Sequence, residues 1–158
     1  MDDLTGIIGR LIRAEVDFVL VGGLAAVTHG SSMTTQDIDI CCDFSPENLL
    51  RIQSALENLN PVHRMTTNHL PLELTEINCR SLKNLYLDTD WGPIDCLGEV
   101  LGLGNYDEVK LASETIELDG IECLILRIGA LITAKKAMGR PKDIETIKQL
   151  EAIQKEER

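Results

Sequence analysis

The stretch Phe18-Val19-Leu20-Val21-Gly22-Gly23-Leu24-Ala25-Ala26-Val27-Thr28-His29-Gly30, followed after a polar loop by Asp37-Ile38-Asp39-Ile40-Cys41-Cys42, decides the fold. Val16 to Val21 is a short β-branched and aromatic run and reads as a buried strand. Gly22-Gly23 ends it, and Leu24 to Thr28 reads as a short helix stopped by Gly30. Asp37 to Cys42 reads as a second strand. Residues two apart on a strand point to one face, so Asp37 and Asp39 are expected to project together while Ile38 faces the core. Side by side, two carboxylates repel unless a cation joins them, and oxygen ligands suit a hard ion such as magnesium. Glycines at a strand-to-helix turn let the backbone approach a ligand, and the N–H groups of the helix start suit phosphate. Asp95, alone among apolar neighbours in Gly92-Pro93-Ile94-Asp95-Cys96-Leu97, needs a partner if buried and is the candidate third carboxylate.

Working outward, the sequence reads as a mixed sheet with helices before, within and after it. Asp2 and Asp3 cap a first helix carrying Leu4, Ile7, Ile8, Leu11 and Ile12 on one face. Ser45 and Pro46 open a helix running to Asn60-Pro61. Val62 to Cys79 reads as one irregular strand and a loop. Leu82 to Leu87 and Pro93 to Leu97 read as strands around a turn at Asp88 to Gly92, and Gly102 to Val109 as loop or short helix. Thr115 to Leu118 and Ile121 to Leu126 flank Asp119-Gly120, a hairpin signal. Ile128 to Met138 reads as a helix ending near Gly139, and Pro141 opens a last one with Ile144, Ile147, Leu150 and Ile153 along one face.

Composition narrows the function classes. With 158 residues and a 44% apolar content, one soluble domain over 1–158 is expected. Its core would cover about 16–126 and a C-terminal helical part about 127–154. A net charge of -11 and 3% aromatics speak against long duplex nucleic acid and against stacking platforms for single strands. The five cysteines include no Cys-x-x-Cys pair and read as buried free thiols, consistent with a cytoplasmic protein. The acidic Met1-Asp2-Asp3 is unlike a signal peptide, and no apolar run reaches the roughly 20 residues that cross a bilayer.

The order Gly-Gly, Asp-x-Asp, a later strand Asp and a basic helix start resembles the polymerase-beta-like nucleotidyltransferase superfamily. The longer stretches Val21 to Gly30 and Thr34 to Asp39, with Ala134-Lys135-Lys136-Ala137-Met138-Gly139-Arg140-Pro141-Lys142-Asp143, are similar to the small bacterial AbiEii-toxin-like and minimal nucleotidyltransferase-like proteins. The resemblance implies an α/β (α+β) nucleotidyltransferase fold, a small mixed sheet flanked by helices, with the C-terminal helices closing a cleft. It implies transfer of a nucleoside monophosphate from an NTP to a hydroxyl of a protein, an RNA end or a small molecule. Asp37, Asp39 and Asp95 would be catalytic and hold two Mg2+ ions, with Mn2+ as a substitute, and Asp95 would help activate the attacking hydroxyl. Gly22 and Gly23 would cradle the triphosphate, and Lys135, Arg140 and Lys142 would neutralise it. A toxin–antitoxin setting, with a protein partner or a homo-oligomer, belongs to the same resemblance. Relatives carry Arg where this chain has Met33, and a basic residue at Gln36, which leaves room for a catalytically silent nucleotide-binding or toxin–antitoxin interaction module. A metal-dependent phosphohydrolase is a third reading.

Plainer readings stand beside these. Asp37, Asp39 and Asp95 could be solvent-facing strand acids, and Gly22-Gly23 only a tight turn. Asp88 and Asp90 read as turn residues, His29 as a structural or capping histidine, and His63 and His69 as surface or loop residues. In the basic stretch Arg127 to Lys148, Lys136 and Lys148 read as solvent-exposed.

Overall fold

The computed structural model describes residues 3–157. The expected cap at Asp2 therefore lies outside the described residues, whereas Asp3 does cap α1 (Leu4–Arg13), accepting from the Gly6 N–H at 2.8 Å. The order continues β1 (Phe18–Val21), α2 (Gly22–Thr28), β2 (Ile38–Cys42), α3 (Pro46–Leu56), β3 (Val62–His63), α4 (Glu76–Cys79), β4 (Asn84–Thr89) and β5 (Gly92–Leu97). A small β6 (Glu99–Val100) and β7 (Gly104–Asn105) pair precedes α5 (Tyr106–Leu111), followed by β8 (Ser113–Leu118), β9 (Ile121–Leu126), α6 (Ile128–Met138) and α7 (Ile144–Glu156).

Seven strands form one mixed sheet in the order β3-β4-β5-β2-β1-β9-β8. β2 lies between antiparallel β1 and parallel β5, so it sits at the centre. Its apolar content explains that position, since Ile38, Ile40, Cys41 and Cys42 are all buried. α1 packs on α3, and α6 packs on both α2 and α7. Ser45 and Pro46 start α3 as expected, with the Ser45 hydroxyl accepting from Asn48 N–H. The Asp119-Gly120 hairpin and the Gly139 left-handed helix stop also stand where the residues place them. All five cysteines are free and buried.

Several boundaries differ from the sequence reading. Asp37 precedes β2 rather than opening it. Gly22 and Gly23 form the first turn of α2, not a separate turn before it. β4 starts and ends two residues later than expected because Thr89 still pairs with Gly92, and the turn shrinks to Asp90-Trp91. The Thr89 hydroxyl closes it, donating to the Gly92 carbonyl at 2.8 Å and accepting from Trp91 N–H at 3.1 Å. The segment after Val62 contains the short helix α4, with a reciprocal Thr75/Asn78 cap. Pro141 opens a 3-10 turn, and α7 begins only at Ile144, which is 55% exposed rather than on the buried face.

Candidate active site

Asp39 occupies the middle of the sheet, paired in register with Val21 on β1 and with Asp95 on β5. Where β1 ends, Gly22 takes φ +70, and a Cβ there would lie 2.1 Å from Asp39 Oδ2. Glycine is required by both the backbone conformation and that close approach. Burial, then the charges of Asp95 and Asp37, raise the Asp39 carboxyl to about 6, against the Gly23 backbone N–H, which lowers it. Asp37, Asp39 and Asp95 all border one cavity of about 300 Å³ together with Gly23, Thr35, Lys135, Arg140 and Lys142.

A second cavity of about 310 Å³ lies against the same Asp39, Asp95, Lys135 and Arg140. Gly22, Tyr86 and apolar side chains including Val100, Leu131 and Met138 complete it. Each is at the small end of the roughly 300–1,000 Å³ range of small-molecule sites. A larger open hollow of about 610 Å³ between α3 and the segment around Leu72 contains none of the residues just described. We place the chemistry at the smaller pair, because carboxylates, cations and glycine backbone meet there.

Two features escaped the sequence reading. Arg64, just past β3, forms an ion pair with Asp95. It also donates to the Leu87 carbonyl at 3.2 Å, lies 3.9 Å from Asp88 Oδ1, and has its guanidinium carbon 6.0 Å from the Tyr86 ring centroid. Partial burial works against this cation, but the hydrogen bond and charge of Asp95, then Asp88 and Asp37, raise its pKa above the ordinary arginine value. Its backbone N–H is fixed by the Tyr86 carbonyl at 2.8 Å. No local pattern announces an arginine that reaches a strand two places across the sheet.

The second is Asp143, only 3% exposed. It accepts from Lys135 Nζ at 3.3 Å, Arg140 Nε at 2.6 Å and Arg140 Nη2 at 3.2 Å. Burial pushes its pKa up, but Arg140 and Lys135 outweigh that and hold it below the ordinary aspartate value. Lys135 and Arg140 thus share a buried carboxylate while still bordering both cavities. Lys142 is exposed at the cavity edge, and Lys136 and Lys148 are exposed as expected. His29 caps α2, and its Nε2 lies 2.7 Å from the Leu126 carbonyl, a structural position.

Among the described residues, no three His, Cys, Asp or Glu side chains are already gathered closely enough to hold an ion. The donor set nevertheless fits a hard cation: it offers oxygens only, and like-charge crowding on Asp39 is what a cation relieves. Asp39 and Asp95 would hold such an ion, with Asp37 at the margin.

The architecture matches a known structure. "A putative nucleotidyltransferase (TM1012) from Thermotoga maritima" superimposes with a TM-score of 0.59 at 20% identity, over 92% of this chain and 88% of that one. JHP933 from Helicobacter pylori aligns with a TM-score of 0.43 at 17% identity, over 85% of this chain and 57% of that one. No protein-family model matches the chain, and no curated protein matches it in sequence. The fold, a mixed seven-stranded sheet flanked by helices with C-terminal helices beside the cavities, is thus that of the Thermotoga maritima protein. No helix among the described residues is long and apolar enough to cross a membrane.

Proposed function

We propose that this protein is a metal-dependent nucleotidyltransferase that moves a nucleoside monophosphate from an NTP to a hydroxyl acceptor. The observation that carries the reading is the meeting of Asp39 and Asp95 with Lys135 and Arg140 along the line shared by two adjoining cavities. The core of about 16–126 supplies the carboxylates and the C-terminal part of about 127–154 supplies the cations. Asp39 and Asp95 would hold the magnesium, which would supply charge neutralisation at the phosphate and an activated acceptor oxygen. The chain's own contributions are separate. Asp95 would take up the acceptor hydroxyl proton. Lys135, Arg140 and Lys142 bind the phosphates, the first two oriented by Asp143. Gly22 keeps the β1–α2 backbone close to Asp39.

Incubating the pure protein with each α-labelled NTP, magnesium or manganese, and a cell extract tests this reading. Label transferred to protein, RNA or a small molecule, with pyrophosphate released, is the expected result, and Asp39→Asn abolishes it. Free phosphate or monophosphate with no labelled acceptor indicates a phosphohydrolase instead. A catalytically silent nucleotide-binding or toxin–antitoxin module is the second reading, favoured by Met33, which borders the polar cavity with no loop arginine. It predicts saturable NTP binding without pyrophosphate release.

A further inference from the structure

We propose that Arg64 is a resident counter-ion of the carboxylate site, paired with Asp95 until a divalent cation displaces it. The inference rests on the proposed metal-dependent reading of the same site. Asp95 is one of the two central carboxylates, and Arg64 Nη2 is its cationic partner. An arginine and a divalent cation compete for the same oxygen charge, so cation binding at the Asp39/Asp95 pair is opposed by the ion pair already there.

The rest of Arg64 is built for exchange. Its Nη1 is anchored on the Leu87 carbonyl, its guanidinium carbon lies 6.0 Å from the Tyr86 ring centroid, and Asp88 stands 3.9 Å away. These partners keep the guanidinium in the site after it leaves Asp95, and Asp88 offers a second carboxylate. With its side chain 26% exposed, the group can rotate without unfolding its strand.

The test is Mn2+ binding to the full chain without nucleotide, read from the free-ion paramagnetic resonance signal. Wild type, Arg64→Ala, Arg64→Gln, Arg64→Lys and Asp39→Asn are compared, each checked for folding by circular dichroism. Removing the guanidinium should tighten Mn2+ binding by about tenfold in Arg64→Ala and Arg64→Gln. Arg64→Lys, which keeps a cation but loses the planar fork, should fall between these and wild type. A structural role alone predicts unchanged or weaker Mn2+ binding in the two neutral variants, and that result overturns the proposal. If Arg64→Ala does not fold, Arg64→Gln decides the question. Binding in wild type that survives Asp39→Asn, or no binding in any folded protein, refutes the metal-site reading itself. Wild-type binding lost in Asp39→Asn, with Arg64→Gln equal to wild type, refutes only the counter-ion role.

Discussion

The acidic and basic sides of the paired cavities are held together in opposite ways. On the acidic side, Asp95 pairs with Arg64, and burial, then the charges of Asp95 and Asp37, lifts the Asp39 carboxyl to about 6. On the basic side, Lys135 and Arg140 close on one carboxylate, and Asp143 is held below its ordinary value. One cluster carries a surplus of like charge next to a cavity, which costs stability until a ligand arrives. The other sets two cations on one buried carboxylate and ties α6 to the turn before α7. The contrast is between a carboxylate crowded by its own kind and a carboxylate held by two cations.

Asp39→Asn tests the acidic side most severely. Pyrophosphate release should fall on the order of 10³-fold if Asp39 holds the metal as proposed. The same variant should be more stable than wild type at pH 7 without metal. Asp39 has a folded pKa of about 6 against 3.8, so the folded state binds more protons than the unfolded state between those values. Wild-type stability therefore falls as pH rises through that window, and the deficit stays in force above it. Relieving it should raise the unfolding free energy by about 2–3 kcal/mol, read by urea denaturation. Equal stability of the two proteins across pH 4 to 7 would break the comparison on this side.

Asp143→Ala should do the reverse, losing about 3 kcal/mol by stranding the buried Lys135 ammonium, again read by urea denaturation. Because the Asp143 pKa is depressed, its contribution is present above the ordinary aspartate range and is lost as pH falls through the depressed value. A smaller effect is expected at Gly22→Ala, about 2 kcal/mol, from the positive φ and the contact with Asp39. Its thermal melt and Mn2+ binding should both suffer, because the new Cβ pushes on the Asp39 carboxylate. Least affected should be Lys142→Ala. That side chain is exposed, so stability should change by no more than about 0.5 kcal/mol, while the KM for NTP rises severalfold. A large stability loss there would show that Lys142 belongs with Asp143 in holding the turn.

Local chemistry made much of this molecule readable. The β-branched runs, the Gly22-Gly23 break, the Asp119-Gly120 turn and the Gly139 stop sit in the sequence as one-dimensional patterns, and the strands and helices follow them. The Asp39 and Asp95 candidates were legible because an acid inside an apolar strand needs a reason. Asp37 was placed a residue too far into its strand, since nothing local separates the last loop residue from the first paired one.

By itself the sequence determined the alternation of strands and helices and the apolar runs in which Asp39 and Asp95 are set. Only the tertiary structure decided which charges meet. Arg64 reaches Asp95 because β4 separates β3 from β5 by one strand in the sheet. Asp143 gathers Lys135 and Arg140 because the 3-10 turn after Pro141 folds it back toward α6. Ion pairs are set by distance in space, and a pattern along the chain carries no record of that distance until the sheet order and the turn geometry are fixed.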